Sequence, residues 1–221
     1  VVTSRKNILG SALWQKILLY KGFPRIDFET HVGWKERRKL LKVEFPVDIT
    51  ARTFTSDIAY GTIERPNGRS NSYERARFEV SAHNFLDFSE GDFGIGLLND
   101  CKYGHEVDGN RVLLTLLKGP MNPDPVSDLG EHTFTYALYP HLGDFRHSDV
   151  LTAGLVLNQP FLPAFETRAE SVLEAAADAA EGVAAGVPAS FTHLSVSVPN
   201  VTLEAFKQAQ DGDGWIVRIC E

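Results

Sequence analysis

The chain has 221 residues, with 22 Lys plus Arg against 29 Asp plus Glu, a formal net charge of −7 and 43% hydrophobic residues. This composition is that of an ordinary globular protein, and it excludes a disordered chain, a collagen and a coiled coil. The acidic balance argues against nucleic acid as a partner, because phosphate binding needs clustered Lys and Arg, and the sequence shows no apolar run long enough to cross a membrane.

Alternating apolar and polar residues predict β-strands over most of the first 140 residues. We expect strands at 14–20, 25–32, 40–49, 76–83, 93–98 and 132–139. Pro46 is expected at an edge or a bulge, because proline cannot donate to the hydrogen-bond ladder, and Pro140 is expected to end the last of these strands. The glycines in 93–98 predict curvature or a close backbone approach.

A β-hairpin is predicted from 103 to 117. The turn Asp108-Gly109-Asn110 supplies the positive φ that a tight hairpin needs. The loop that follows, 118–132, is long and contains three prolines, so its polar groups are expected to be held in place. Loops of this kind on a rigid sheet often carry a functional site, and a purely structural loop is the alternative.

The last third of the chain has a more mixed pattern. A short helix is expected between Ser148 and Leu157, and the Ala-rich segment 166–189 is expected to be an insertion, a solvated helix or a mobile loop. Strands are expected at 190–198, 201–206 and 215–220, the last two joined as a hairpin. The whole pattern predicts an all-β fold, a large antiparallel β-sandwich with at most one or two short helices.

Cysteine usage and the first residue indicate the compartment and the extent of the chain. Cys101 and Cys220 are too few for a disulfide framework, and no signal peptide is visible, so the sequence predicts a reduced, cytoplasmic protein. The only methionine is Met121, and the chain begins at Val1. This indicates a piece of a longer protein, with a removed tag or initiator methionine as the alternative.

The residues that carry metal or nucleophile chemistry show no local motif. No two of the seven histidines are closer in sequence than His141 and His147, so the short spacing of zinc ligands is missing and no metal site is expected in this chain. Lys102 is the kind of neighbour that lowers a thiol pKa, but Cys101 has no His or Asn partner near it in the sequence. The sequence contains no phosphate-binding glycine loop and no nucleophile elbow.

Carboxylates are the remaining candidates for chemistry. Glycoside hydrolysis needs two carboxyl groups about 5 to 10 Å apart across a sugar. Several acids fall in loop-like segments, although turn and cap roles explain each of them singly; they are Glu90, Asp92, Asp100, Asp124, Asp128 and Glu131. Sequence spacing alone leaves both interpretations open.

Longer stretches of the sequence resemble a known family. The segments 93–104 (FGIGLLNDCKYG), 124–125 (DP) and 130–141 (GEHTFTYALYPH) resemble the C-terminal β region of family 38 α-mannosidases, in their cytosolic, vacuolar and bacterial branch. Shorter matches to that region are 25–28 with Trp34, 41–47, 63–66, 78–80, 157–160 and 215–221. The resemblance covers nearly the whole chain apart from the Ala-rich segment, and Cys220 stands where an aromatic residue is expected.

The resemblance implies a fold and a role that composition does not show. It implies that residues 1–221 form a mutarotase-like supersandwich, the C-terminal domain of a retaining α-mannosidase, with 166–189 as an insertion or mobile loop. In such enzymes the nucleophile, the acid/base carboxylate and the zinc or other divalent metal belong to an N-terminal catalytic domain. We therefore expect no catalytic residue and no cofactor in this chain, and we expect the chain alone to be inactive. The implied partners are that catalytic domain in the same polypeptide and a mannose-containing oligosaccharide.

The same resemblance leads us to expect a substrate-rim or interdomain surface. The 118–132 loop and the corner at 99–102 are expected to face the catalytic domain. The candidate residues are Asn99, Asp100, Lys118, Asp128, Glu131 and His132. Apolar surface that a partner domain normally covers would also favour a homo-oligomer.

Two other functions remain open at this point. An independent carbohydrate-binding module needs an exposed aromatic ring, whereas Trp14, Trp34 and Trp215 all lie in or beside predicted strands, where core packing is the expected role. A mutarotase-like sugar epimerase needs a His acid and a Glu base in one cleft.

Overall fold

The computed structural model describes residues 1–160, 194–198 and 200–220. These residues form fourteen β-strands, two α-helices and one 3₁₀ helix. The chain divides into two compact units, Val1–Phe161 and Leu162–Glu221. The first unit contains twelve of the strands and both α-helices.

The elements of the first unit follow one another with short connections, apart from the long loop before β12. The strands are β1 (Val2–Ile8), β2 (Ser11–Tyr20), β3 (Phe23–Trp34), β4 (Leu40–Pro46), β5 (Thr53–Ile58), β6 (Gly61–Pro66), β7 (Val80–Ser81), β8 (Phe85–Glu90), β9 (Phe93–Asn99), β10 (Gly104–Asp108), β11 (Arg111–Lys118) and β12 (Gly130–Leu142). The helices are α1 (Ser72–Ala76), a 3₁₀ turn (Phe145–His147) and α2 (Val150–Asn158).

The strands of the first unit form two antiparallel sheets. The large sheet has the order β1-β2-β3-β12-β9-β8-β5-β6, and the small sheet has the order β4-β11-β10-β7. One continuous core contains apolar side chains of both sheets, among them Phe88, Leu97, Phe134, Val112 and Leu114. This arrangement confirms the predicted all-β, antiparallel sandwich.

A second, smaller core lies on the opposite face of the large sheet. Strand alternation directs Phe134 and Tyr136 of β12 into the main core, whereas Ala137 and Tyr139 pack with Val150 of α2. A Cβ added at Gly96 in β9 would collide with the Val150 side chain. The predicted close backbone approach at this glycine is therefore confirmed, and the short helix expected near 148–157 is the one that makes the approach.

Most of the predicted strands and the 103–117 hairpin are confirmed. In that hairpin Asp108 pairs with Arg111, and Gly109 has the positive φ of 64° that the turn requires. The strand predicted at 40–49 ends at Pro46, which lies in β4 at the edge of the small sheet, as a residue without an N–H should.

The strand predicted at 76–83 is wrong. Residues 72–76 form α1, and only Val80–Ser81 pair as a strand. The Asn71 side chain accepts the Glu74 N–H at 2.9 Å, and the Glu74 carboxylate accepts the Ser70 N–H at 2.7 Å. This reciprocal capping stabilises a helix start, and it outweighs the apolar alternation that follows.

Pro140 does not end its strand, because β12 continues to Leu142. The Thr135 carbonyl accepts the Asp100 N–H at 3.1 Å, and the Thr135 N–H donates to the Asp100 carboxylate at 2.7 Å. Odd-numbered residues of β12 therefore point their backbone groups toward β9. The nitrogen of Pro140 therefore faces β3, where pairing ends at Leu138 with Ile26. Proline at this position therefore removes no hydrogen bond from the sheet.

The second unit contains the predicted C-terminal hairpin. Strands β13 (Thr202–Gln208) and β14 (Trp215–Cys220) pair antiparallel. Trp215 stacks on Phe206 with ring centroids 4.7 Å apart and is 66% exposed, so the expectation of core packing is wrong for this residue. Residues 194–198 do not form a strand, and both the rest of the 190–198 prediction and the Ala-rich segment 166–189 lie outside the described residues.

Candidate functional site

The long loop between β11 and β12 is closed by hydrogen bonds at its base. The Asp128 carboxylate accepts the backbone N–H of Lys118 at 2.8 Å, and the Nε2–H of His132 donates to the Asp128 carbonyl at 2.7 Å. Within the loop, Asp124 accepts the Val126 N–H at 2.9 Å, which is the turn role expected for a residue between two prolines. The structure thus brings Lys118, Asp128 and His132 together.

The start of this loop lies against the connection between β3 and β4. The Arg38 N–H donates to the Gly119 carbonyl at 2.6 Å, and the Gly119 N–H donates to the Lys39 carbonyl at 2.8 Å. A Cβ on Gly119 would fall well inside van der Waals contact of the Glu36 carbonyl oxygen. Only glycine allows this approach, so the start of the loop is held in one position against the 35–39 connection.

The corner after β9 is held to β12 and to α2. Asn99 is fully buried, its Nδ2 donates to the His83 carbonyl at 2.9 Å, and its Oδ1 accepts the Lys102 N–H at 2.7 Å. Asp100 accepts the Thr135 N–H at 2.7 Å. From α2, the Asn158 side chain donates to the Asn99 carbonyl at 2.9 Å. Asn99 and Asp100 therefore fix the backbone of the corner, although Oδ1 of Asp100 is buried without a hydrogen-bond partner among the described residues.

Cys101 in this corner is not an activated thiol. Burial raises its pKa, the hydrogen bond and charge of Asp100 raise it further, and the resulting value is about 11. The lowering effect of Lys102 is smaller. Although the residue lies at the surface, its thiol stays protonated at neutral pH, so the geometry does not support a nucleophilic role.

Glu131 lies apart from the other candidate residues, on the outer face of the large sheet. Its carboxylate is 2.8 Å from Nε2 of His31, and the Thr133 hydroxyl is 3.1 Å from Nδ1 of the same ring. Since successive side chains of β12 alternate, Glu131 and His132 point to opposite faces. The six candidate residues therefore form three groups: the loop base, the corner and the outer-face pair.

The loop base and the corner nevertheless border the same half of β12. His132 and Thr135 are three residues apart, a distance of about 10 Å along a strand. Nζ of Lys102 lies 4.4 Å from the centre of the Phe134 ring between them. We call the surface made by residues 35–39, 99–103 and 118–132 the loop end.

The loop end also carries cations that the sequence predictions did not include. Lys35, Arg37, Arg38 and Lys39 are exposed, and none forms an ion pair with a described residue. The signal was visible as the run KERRK at 35–39, but its place beside Gly119 depends on a contact across 80 residues of sequence.

Two other functions, a carbohydrate-binding module and a sugar epimerase, each require a particular arrangement of side chains. Trp34 is buried in the main core, and Trp14 lies between its strand neighbours Arg5 and His31, 5.2 and 5.3 Å from its ring centre. Trp34 therefore offers no face for a sugar, and the exposed ring among the three tryptophans is Trp215, which stacks on Phe206. His31 and Glu131 are bonded directly to each other on an open sheet face, which is not the separated acid and base in a cleft that epimerisation requires.

A metal site needs several His, Cys, Asp or Glu side chains close together. Within residues 1–160, 194–198 and 200–220, no three His, Cys, Asp or Glu side chains are grouped so that they could hold a metal ion. The described helices include none with the length and apolar character needed to cross a membrane.

Comparison with known proteins relates the chain to one family. Residues 1–126 match the family model for the glycosyl hydrolases family 38 C-terminal domain. Alpha-mannosidase 2C1 of Mus musculus is 42% identical over 201 residues, and alpha-mannosidase G of Dictyostelium discoideum is 37% identical over 207 residues. These matches cover 91% and 94% of this chain, and 18% of each relative.

A solved structure agrees with the fold. The crystal structure of an alpha-mannosidase from Enterococcus faecalis V583 superposes with a TM-score of 0.58 at 20% identity, covering 66% of this chain and 18% of that one. The chain spans less than a fifth of the length of the curated relatives it matches. Because the family model covers more than half of the sequence, the chain belongs to the glycosyl hydrolase family 38 C-terminal domain family.

Proposed function

We propose that residues 1–221 are the non-catalytic C-terminal β domain of a longer, cytoplasmic α-mannosidase that hydrolyses α-linked mannose, with 166–189 as an insertion. One observation carries this proposal: the likeness to alpha-mannosidase 2C1 covers 91% of this chain but 18% of the relative. The catalytic carboxylates and the zinc or other divalent metal then belong to the N-terminal remainder of the polypeptide. That remainder is the partner of this domain, and a mannose-containing oligosaccharide is the substrate of the full-length enzyme.

The loop end is the surface we assign to contact with the catalytic domain. Its backbone is fixed by the bonds of Asp128, Gly119 and Asp100, so it can present side chains without losing much conformational freedom on docking. Its exposed cations, Arg37 and Lys39 among them, are complementary to an acidic partner surface.

The candidate residues take different roles within this proposal. Asn99, Asp100, Asp128 and His132 are positioning residues, because their polar atoms bond to the backbone of the corner and of the loop. Among the described residues, Lys118 bonds in the loop base only through its backbone N–H, so its ammonium is left for a partner or a sugar hydroxyl. The Glu131 side chain is 68% exposed, and within the described part of the chain its carboxylate bonds only to His31.

The function is tested by removing this region from the full-length enzyme. We expect deletion of the region corresponding to 1–221 to abolish α-mannosidase activity, and we expect the separate chain, supplied by co-expression, to restore it. Full activity of the deleted enzyme would contradict a supporting role. Restoration also requires that the two pieces co-purify.

The rim assignment is tested by Lys118→Ala in the full-length enzyme. We expect KM for an oligomannoside to rise several-fold with kcat little changed, because a contact to a remote part of the substrate contributes equally in the ground and transition states. Lys16→Ala is the matched control, since Lys16 is also exposed but pairs with Glu29 on the outer face. Unchanged kinetics and unchanged stability of the Lys118 variant would contradict the placement.

Contact between the exposed cations at 35–39 and the catalytic domain is tested by reversing their charge. The double variant Arg37→Glu, Lys39→Glu is expected to lower the thermal stability of the full-length enzyme while leaving that of the isolated chain unchanged. Equal effects on both proteins would show that these cations act within the domain and do not contact a partner.

A further inference from the structure

A second polar site lies away from the loop end, beneath the segment that joins β6 to β7. Two small adjoining cavities, partly open to solvent, lie there. Both are lined by Phe54, Pro66, Gly68, Glu74, Arg77 and Val80. His105 lines one cavity and Arg65 lines the other, and no lining residue belongs to the loop end.

His105 brings an acceptor to this site. The residue is 0% exposed, and its Nδ1 is 3.2 Å from the Tyr103 carbonyl, which can only accept, so Nδ1 carries the ring hydrogen. Burial lowers the pKa of this imidazole to about 4, so the ring is neutral at pH 7. Nε2 is then a lone-pair acceptor, and it is buried without a partner among the described residues.

Arg65 and Arg77 bring unbalanced positive charge. Nε of Arg65 is buried without a partner in the described part of the chain, and one terminal nitrogen donates to the Ser81 carbonyl at 3.3 Å. Burial lowers the pKa of the Arg65 guanidinium, and the nearby charge of Arg77 lowers it further. Neither arginine forms an ion pair with a described residue, so the two cations repel each other beside the cavity.

The acids of the cavity wall are already engaged elsewhere. Glu106 bonds to Lys42 at 2.6 Å and also to Arg69. Glu74 caps α1 by accepting the Ser70 N–H at 2.7 Å. Taken together, the two cavities therefore have an excess of donors from Arg65 and Arg77, with one uncharged acceptor, Nε2 of His105.

We propose that the two adjoining cavities together bind, beside Arg77, one small oxyanion that also carries a hydroxyl hydrogen, of which inorganic phosphate at neutral pH is the simplest member. Its unprotonated oxygens accept from Arg65 and Arg77, and its P–OH donates to Nε2 of His105. This arrangement satisfies the buried donor and the buried acceptor at once, and it relieves the repulsion between the arginines. The bound anion joins the β6–β7 segment to β10.

The proposal is tested by calorimetric titration of the 221-residue chain with inorganic phosphate at constant ionic strength and pH 7. We expect saturable binding at one site, weakened about tenfold or more by Arg77→Gln and by Arg65→Met, each loss equivalent to about 1.4 kcal/mol or more. Arg5→Gln is the matched control, because Arg5 is an exposed arginine of the same unit that lies outside both cavities and forms no ion pair with a described residue. The control should bind phosphate as the wild type does.

Sulfate tests the role of His105. It has the tetrahedral shape of phosphate but no proton at pH 7, so we expect it to bind about tenfold more weakly. Equal affinities for the two anions would overturn the contact to Nε2 of His105. Absence of saturable phosphate binding, or binding that Arg77→Gln leaves unchanged, would overturn the site itself. Arg77 is exposed, so its variant reports on binding even if changes at Arg65 impair folding.

Discussion

The Asp128 carboxylate holds the backbone N–H of Lys118 at 2.8 Å, and this one bond joins the two ends of the long loop between β11 and β12. The same residue accepts a hydrogen bond from His132 through its carbonyl. A loop that is closed at its base loses little entropy when it docks, which is the property expected of a contact surface between domains.

Removing the Asp128 side chain should therefore loosen the loop base. Asp128→Ala is expected to lower the free energy of unfolding by about 1 kcal/mol, because one hydrogen bond to a charged but partly solvated acceptor is lost. Urea unfolding of the isolated chain measures the effect. Asp128→Asn keeps an acceptor oxygen and should lose less, and an Asp128→Ala midpoint equal to that of the wild type would show that the bond contributes nothing.

Gly119 should not tolerate a side chain. Gly119→Ala places a methyl group against the Glu36 carbonyl, and the backbone must shift to accommodate it, at a cost of about 1 to 3 kcal/mol. Gly61→Ala is the matched control, since a Cβ at Gly61 meets nothing within 4 Å and its φ is not positive. Both variants are compared by urea unfolding, and equal stabilities would refute the close approach at Gly119.

His141 should make stability depend on pH. Burial lowers the pKa of this imidazole, but the hydrogen bond and charge of Asp87, 2.6 Å away, outweigh burial and raise the pKa above its usual value. Because the folded-state pKa is raised, the stabilisation by protonated His141 is fully present below the unfolded-state pKa of about 6.5. It is lost as the pH rises through the folded-state pKa. The stability advantage of wild type over His141→Gln should thus be larger at about pH 6 than at about pH 8.

Asp87→Asn provides the control for this effect. It keeps a hydrogen-bond acceptor for His141 but removes the charge, so the pH-dependent part of the stability difference should largely disappear. Denaturant unfolding at the two pH values measures all three proteins. A wild-type advantage over His141→Gln that is constant with pH would contradict the assignment of a raised pKa.

Cys101 should react slowly with alkylating reagents. A thiol pKa of about 11, two units above the ordinary value of 9.0, means about a hundredfold less thiolate at pH 7. Alkylation by iodoacetamide, followed by mass spectrometry in a Cys220→Ser background, should be correspondingly slower than for an unfolded control peptide. Asp100→Asn should speed the reaction, and a wild-type rate equal to the peptide rate would contradict the protecting role of Asp100.

Local patterns in the sequence predict most of the strands, because one buried face imposes a period of two on each of them. The pattern fails at 76–83, where the side-chain cap at Asn71 and Glu74 favours a helix turn over strand pairing. It also fails at Pro140. Whether a proline interrupts a sheet depends on which neighbouring strand its nitrogen faces, and here it faces β3 beyond the last paired residue.

The candidate surface was harder to predict, because its defining contacts join residues far apart in sequence. Asp100 reaches Thr135 across 35 residues, and His31 reaches Thr133 across 102. The sequence prediction assigns all six candidate residues to one surface, with Glu131 in the same group as Lys118. Strand alternation puts Glu131 on the outer face, and the cations at 35–39 take a place beside the loop instead.

The central claim is that this domain supports an α-mannosidase and cannot cleave a glycosidic bond by itself. The most direct measurement is the rate at which the purified 221-residue chain hydrolyses a chromogenic α-mannoside. We expect no turnover above the uncatalysed rate, with or without added zinc. Turnover by the chain alone at the rate of an ordinary glycosidase would contradict it.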